Sequence, residues 1–283
     1  VFRLGDAPKN RGEIDFSSAI RLAQESDLTV LTLGITPDLE GEEMPVKEEG
    51  FEGGDRTTLE LPGPQRELLK QIAAAGKPLV LVTTSGSCIS VPTEGLAAWL
   101  HCWYPGQQGG TAVGRALLGL INPAGRLPVT FYKTLADLPP FEDYHLAGRT
   151  YQGYRGAPLY PFGYGLSYGQ YNYGGAVIKK SNKELTLSVT LSNSGRMDGE
   201  EVVQIYSRFD QPLSGDPIRR LVGFKRVSIP AGKTVVIDIP VPARAISTWN
   251  PESKTFEVRQ AKQIIEVGPW AGEVKHRFEF TGF

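Results

Sequence analysis

The residues best suited to carry out chemistry lie in one acidic segment near the amino-terminal end of the chain. It holds five carboxylates within ten positions, namely Glu40, Glu42, Glu43, Glu48 and Glu49. Gly41 and Pro45 shape its backbone, and Gly-Gly-Asp-Arg follows at 53–56. A carboxyl group held in a partly desolvated place can act as a general acid or base. Composition and spacing alone therefore predict a candidate carboxylate site, with a solvated acidic loop as the simpler alternative.

Other familiar site motifs are missing from the sequence, which has no phosphate loop, HExxH or CxxC. The three histidines, at 101, 145 and 276, are far apart and are best explained as structural. Cys88 and Cys102 lie beside apolar runs without metal-ligand spacing, which predicts two buried free thiols rather than a disulfide. Asp55 and Arg56 are most simply a turn carboxylate and its ion-pairing neighbour.

The composition excludes several classes of protein. Lys and Arg number 30 against 31 Asp and Glu, so the chain lacks the basic surface of a protein that binds nucleic acid or an anionic membrane. No run approaches the roughly 18 apolar residues of a membrane span. At 283 residues, of which 40% are hydrophobic, the chain is expected to form about two globular domains.

The elements that must position the acidic segment alternate between helical and strand patterns. Helical spacing of apolar residues predicts helices over 16–25, 64–75 and 111–118, and apolar runs predict strands over 28–34 and 78–84. This alternation indicates an α/β sandwich, with a mostly parallel sheet and flanking helices. Ligands bind such sheets beyond the carboxyl ends of the strands, which is where the acidic segment lies.

The second half of the chain follows a different pattern. Residues 136–172 are rich in proline and aromatic side chains without a sustained period, which indicates an ordered interdomain strap. Its aromatic rings could stack on sugars, although such residues more often join two domains. From 173 to 283 short strands of period two predict an antiparallel β-sandwich. The predicted division is thus 1–135, 136–172 and 173–283.

Several long runs resemble family 3 glycoside hydrolases. EGEEMPV, FEGGDRTTLELPGPQRELLKQI and WYPGQQGGTAVGRALLGLINPAGRLPVTFYK are similar to the second domain of that family. LSNSGRMDGEEVVQIYSR and RRLVGFKRVSIPAGKT resemble its fibronectin type III-like domain. The resemblance implies an α/β sandwich of six-stranded type followed by an immunoglobulin-like β-sandwich. The family also has an N-terminal (β/α)8 barrel, which has no counterpart in this sequence.

The resemblance implies a mechanism with two carboxylates. The family hydrolyses β-linked glycosides from the non-reducing end with retention, using a nucleophilic Asp and a general acid/base Glu about 5–5.5 Å apart. The matching loop pattern assigns the acid/base to Glu42, with Glu40 and Glu43 as competitors. The nucleophile belongs to the barrel, so none is expected in this chain, which is predicted to be the C-terminal part of a longer enzyme. No metal or organic cofactor is implied, and the substrate-binding residues stay unassigned.

The resemblance indicates the substrate class less specifically than it indicates the mechanism. GRLPVTFYK and DYxxxGRTYxxY (143–154) resemble the β-xylosidase-like branch, which includes arabinofuranosidases. We therefore expect a secreted or periplasmic β-xylosidase of xylan degradation acting on an oligosaccharide or aryl β-glycoside. A β-glucosidase and a non-catalytic carbohydrate-contacting or scaffold module are the alternatives. The expected partner is the barrel, with no nucleic acid or membrane, and a homo-oligomer is left open.

Overall fold

The computed structural model describes residues 14–283, which form two compact units. The first unit contains the chain up to Val113 together with 132–135, and the second contains 114–131 and 136–283. The elements before residue 120 are, in chain order, α1 (Ser17–Glu25), β1 (Thr29–Gly34), β2 (Phe51–Glu52), β3 (Asp55–Arg56), α2 (Gly63–Ala73), β4 (Leu79–Thr84), β5 (Ala98–His101) and α3 (Gly109–Leu117).

A parallel sheet of order β1-β4-β5 is the centre of the first unit. The central strand β4 is buried along its length, and Leu79 and Leu81 are completely inaccessible. They share a core with Leu68, Leu69 and Ile72 on one face of α2. The predicted parallel sheet and its helices are therefore present. Among residues 14–283 the sheet has three strands, whereas the resemblance implies six.

Local sequence explains where α2 begins and ends. Pro64 occupies its first turn, where the missing N–H has no intrahelical partner to lose. Gly76 follows the helix with φ of +71°, a conformation that favours glycine. The helix predicted over 64–75 is therefore present, with ends that differ by one or two residues.

The second unit contains the remaining elements, which are mostly strands. They are α4 (Thr150–Gly153), β6 (Tyr171–Lys180), β7 (Glu184–Asn193), β8 (Gly199–Phe209), β9 (Arg220–Ile229), β10 (Thr234–Pro242), β11 (Thr248–Asn250), β12 (Thr255–Glu257), β13 (Lys262–Gly268) and β14 (His276–Thr281). Two antiparallel sheets, β10-β7-β6 and β14-β13-β8-β9, enclose one core. Every second residue of β7 is buried, as its alternating sequence predicted.

The aromatic segment 136–172 lies in the same compact unit as these sheets. The Tyr151 ring stacks on Phe162 with centroids 4.1 Å apart and meets Tyr206 of β8 edge-on. Tyr160 likewise stacks on Tyr164, at 4.8 Å. These rings therefore serve in packing within the unit, while the boundaries at 135 and 172 stay a prediction.

The structure bears directly on the two cysteines. Cys88 and Cys102 are free thiols, as predicted, but they are half-buried rather than buried. Among residues 14–283, no helix has both the length and the apolar character needed to cross a membrane.

Candidate active site

The candidate site lies at the carboxyl edge of the parallel sheet. The chain leaves β1 and reaches Glu40 six positions after Gly34, and it leaves β4 into the loop 85–88. It leaves β5 and reaches Tyr104. Because parallel strands end at the same edge, these three segments meet there.

The Glu40 side chain is half-buried, and a hydrogen bond holds one of its two carboxylate oxygens. The hydroxyl of Ser87 donates a hydrogen bond of 2.7 Å to its Oε1. Its Oε2 is buried and has no hydrogen-bond partner among residues 14–283. A Cβ placed on Gly86 would lie 3.7 Å from this oxygen and 3.0 Å from the Tyr104 ring. The absence of a side chain at Gly86 therefore allows Glu40 and Tyr104 to approach each other closely.

Arg56 connects the β2–β3 hairpin to the loop after β4. Its Nη1 donates to Ser87 Oγ at 3.0 Å and to the carbonyl of Cys88 at 2.6 Å. Its Nη2 donates to the carbonyl of Glu60 at 3.1 Å. Burial lowers the pKa of Arg56, and the negative charge of Glu40 acts in the opposite direction. The sequence predicted a simple ion-pairing residue, whereas the guanidinium mainly holds main-chain carbonyls and Ser87.

The groups around Glu40 stay in their protonated forms at neutral pH. Burial raises the pKa of Tyr104, and the neighbouring Glu40 carboxylate raises it further. Burial also raises the pKa of the Cys88 thiol, against the charge of Arg56. The carboxylate of Glu40 is thus surrounded by neutral donors and one guanidinium.

Glu42 and Glu43 are placed differently from Glu40. Both are exposed, and within residues 14–283 neither side chain makes a hydrogen bond or an ion pair. The backbone that carries them is nevertheless fixed, because Gly41 N donates to the carbonyl of Gly54 at 3.2 Å and Met44 N to that of Gly53 at 2.8 Å. The acidic segment is therefore an ordered turn held against the β2–β3 hairpin.

Of the three predicted candidates, the structure brings only Glu40 into the cluster with Arg56. Ser87 and Tyr104 were not predicted from the sequence, since neither belongs to a recognised motif. The signal that could have found them is their position just after β4 and β5, at the edge where ligands bind. Asp55 is exposed.

The histidines do not contribute to this cluster. His101 Nδ1 lies 3.0 Å from Thr83 Oγ1, which also accepts a 2.7 Å hydrogen bond from Trp99 Nε1. Burial lowers the pKa of His101 to about 4. Residues 14–283 contain no group of three His, Cys, Asp or Glu side chains arranged to hold a metal ion.

Comparison with family models gives two matches. The model of the glycosyl hydrolase family 3 C-terminal domain matches residues 5–168, and that of the fibronectin type III-like domain matches 201–270. Together they cover most of the chain, in the order expected from the sequence.

Similar proteins include a xylan 1,4-beta-xylosidase of Xylanibacter ruminicola, 42% identical over 259 residues, which cover 90% of this chain and 30% of the relative. A periplasmic beta-glucosidase of Salmonella typhimurium is 28% identical, covering 91% of this chain and 34% of the relative. A crystal structure of beta-glucosidase from Kluyveromyces marxianus superposes with a TM-score of 0.84 and 27% identity, covering 96% of this chain and 34% of that one. The chain thus spans about a third of the length of these relatives.

Proposed function

Because the chain belongs to glycosyl hydrolase family 3, we propose that it supplies the general acid/base of a retaining β-glycosidase whose nucleophile lies in a (β/α)8 barrel. The observation that supports this role is the fixed backbone of the turn that carries Glu42, since Gly41 N and Met44 N donate hydrogen bonds to the turn of the β2–β3 hairpin. We propose Glu42 as the acid/base, since it matches the family's motif and its exposed side chain is free to face a substrate held by the barrel. Glu40 and Glu43 are the alternatives.

The proposed reaction has two steps. In the first, Glu42 protonates the glycosidic oxygen while the barrel nucleophile attacks the anomeric carbon and the bond to the leaving group breaks. In the second, Glu42 removes a proton from water, which attacks the anomeric carbon, breaks its bond to the nucleophile and releases the sugar with retained configuration. Both steps use carboxyl groups alone and require no cofactor.

We propose a β-xyloside as the substrate, acted on in a secreted or periplasmic location, with β-glucosides as the second choice. The 42% sequence identity with a protein named xylan 1,4-beta-xylosidase supports a β-xyloside as the first choice of substrate. For the second unit, we propose an immunoglobulin-like sandwich, supported by the match to the fibronectin type III-like domain.

A non-catalytic, carbohydrate-contacting role is the second candidate function. Phe141 and Tyr144 favour it, because their side chains are 84% and 88% exposed. Exposed aromatic rings offer apolar faces on which sugar CH groups can stack.

The test uses the chain joined to, or co-expressed with, its barrel domain. We would measure hydrolysis of nitrophenyl β-xyloside and β-glucoside by the Glu40→Ala, Glu42→Ala and Glu43→Ala variants. We expect Glu42→Ala to lose at least about 100-fold in kcat on nitrophenyl β-xyloside, the typical contribution of acid–base catalysis. Azide, acting as a nucleophile that needs no base, should restore turnover of an activated aryl substrate. The two other variants serve as controls with matched charge.

The outcomes separate the alternatives. Azide-rescued loss in Glu40→Ala or Glu43→Ala, with Glu42→Ala close to wild type, would move the acid/base to that residue. Unchanged turnover in all three variants would leave the non-catalytic role, which binding of xylo-oligosaccharides to the chain alone would then test.

A further inference from the structure

We propose that Arg56 is a positioning residue for Glu42, because it fixes the β2–β3 hairpin that holds the turn of Glu42 in place. This inference rests on the proposed function of Glu42 as the acid/base. In this role Arg56 acts through other residues of the first unit and not on the reacting atoms.

The position of the Glu42 carboxyl depends on its backbone. Its side chain is exposed and makes no hydrogen bond or ion pair within residues 14–283. The next residue, Glu43, has φ of +50°, a left-handed conformation that is unfavourable for any residue with a Cβ. Such a turn persists only where its surroundings hold it. A retaining acid/base must keep a distance of about 5–5.5 Å from the nucleophile, so the groups that hold this turn affect catalysis.

The groups that hold the turn belong to the β2–β3 hairpin. Gly41 N donates to the carbonyl of Gly54 at 3.2 Å, and Met44 N donates to the carbonyl of Gly53 at 2.8 Å. One of these hydrogen bonds lies just before Glu42 and the other just after it. The turn is therefore fixed only as firmly as the hairpin itself.

Arg56 in turn holds the hairpin. A two-stranded hairpin is only marginally stable by itself, and each strand here has just two residues. Phe51 buries its ring in the core, and its partner across the hairpin is Arg56. Arg56 Nη1 donates to Ser87 Oγ at 3.0 Å and to the carbonyl of Cys88 at 2.6 Å, while Nη2 donates to the carbonyl of Glu60 at 3.1 Å. Arg56 thus connects the hairpin to the loop that follows the buried central strand β4.

A guanidinium is suited to this connection because its planar group donates in more than one direction at once. A lysine ammonium keeps the charge but concentrates its donors at one point. We therefore expect Arg56→Lys to keep only some of the three hydrogen bonds, and Arg56→Ala to lose all of them.

The experiment compares Arg56→Lys and Arg56→Ala with Arg66→Lys and Arg66→Ala in the enzyme completed with its barrel. Arg66 is a matched control because it is also half-buried, and its ion pairs with Glu49 and Glu60 are to side chains outside the hairpin. We would measure kcat and KM on xylobiose and on 2,4-dinitrophenyl β-xyloside, with and without azide. Xylobiose needs protonation of its leaving group, whereas the dinitrophenolate leaves without it.

If Arg56 positions Glu42, Arg56→Ala lowers kcat/KM on xylobiose by about 10- to 100-fold, because a small misplacement of the acid costs this much. On the dinitrophenyl substrate kcat/KM reports the first step alone and changes by less than about threefold, since that step needs little acid assistance. There kcat and KM fall together, because the covalent intermediate accumulates when its hydrolysis lacks a well-placed base, and azide restores kcat. Arg56→Lys shows the same selectivity with a smaller loss, and both Arg66 variants resemble wild type.

Equal losses of kcat/KM on both substrates would overturn the inference, because they would indicate a general structural effect. Arg56 variants that behave like the Arg66 variants would overturn it too. If Arg56→Ala does not fold, Arg56→Lys decides by the same criteria. If Glu42→Ala shows the selective, azide-rescued loss and the Arg56 variants do not, only the positioning role fails. If Glu42→Ala lacks that loss, the proposed acid/base assignment has itself failed.

Discussion

Arg126 Nη2 lies 2.7 Å from Oε2 of Glu201, and the two side chains are only 9% and 3% exposed. The hydroxyl of Tyr173 donates to the other carboxylate oxygen at 2.9 Å. Burial raises the pKa of Glu201, and the charge of Arg126 opposes that shift. Arg126 lies in the stretch 114–131, which precedes the aromatic segment, and Glu201 lies on β8. The pair therefore links that stretch to the β-sandwich within the second unit.

Replacing Arg126 should therefore be costly. Arg126→Met leaves a buried carboxylate without its cation and is expected to destabilise the second unit by about 3–5 kcal/mol. Urea unfolding followed by tryptophan fluorescence measures the change. The control is Arg226→Met, which removes an exposed partner of Glu200, with side chains 57% and 38% exposed. It should cost at most about 1 kcal/mol. Similar costs for both variants would contradict the structural role of the buried pair.

Much of this architecture could be predicted because it depends on local patterns. The alternation in β7 and the apolar run of β4 identify strands by the faces they bury. Pro64 and Gly76 mark the ends of α2 for reasons that act within a few residues. The acidic segment was placed at the sheet edge because it directly follows β1.

The partners within the site were not predictable in the same way. Ser87 reaches Glu40 across 47 positions, and Arg56 reaches Cys88 across 32. Such contacts depend on which loops the sheet order β1-β4-β5 brings together. No periodicity encodes that a lone serine will contact one of several glutamates, which is why spacing alone did not distinguish Glu40, Glu42 and Glu43.

A glycine pair offers a test of how the acidic segment is held. Gly54 has φ of +90°, and a Cβ there would lie 1.8 Å from the carbonyl oxygen of Gly41. Gly53 has φ of +61° with open space around it. Gly53→Ala should lower the free energy of unfolding by about 1–2 kcal/mol, because alanine disfavours the left-handed backbone conformation. Gly54→Ala adds a collision with backbone and should cost about 2–5 kcal/mol.

Denaturant unfolding of the two variants measures this difference. Gly54→Ala should also displace the turn that carries Glu40, which limited proteolysis within 40–57 would report. Equal stability of the two variants would show that the contact between Gly54 and Gly41 does not hold the segment.

Substitutions can distinguish the rings of the aromatic segment that pack against neighbours from those that are exposed. Tyr151 stacks on Phe162, and its hydroxyl accepts a 3.1 Å hydrogen bond from Leu221 N. Tyr151→Ala should destabilise the second unit by about 2–3 kcal/mol. Tyr144→Ala, at an 88% exposed position, is the control and should stay within about 0.5 kcal/mol of wild type. Melting temperatures measure both effects. A Tyr151→Ala variant that melts at the wild-type temperature would show that this ring does not stabilise the second unit.

His101 should make the first unit less stable in acid. Its Nδ1 lies 3.0 Å from the hydroxyl of Thr83, whose oxygen accepts from Trp99 Nε1, so the ring is packed within the unit. Burial lowers the pKa of His101 from 6.5 to about 4. Between these two values the unfolded chain binds a proton that the folded chain does not. The stabilisation by His101 is therefore complete above pH 6.5 and decreases as the pH falls toward 4.

The measurement compares urea midpoints of wild type and His101→Asn from pH 7.5 to 4. Asn keeps an acceptor oxygen near Thr83 and does not titrate, so the variant should lose less stability over this range than wild type. Carboxylates titrate in both proteins and cancel in the difference. A parallel pH dependence of wild type and His101→Asn would mean that the imidazole ring of His101 is protonated in the folded chain as readily as in the unfolded one.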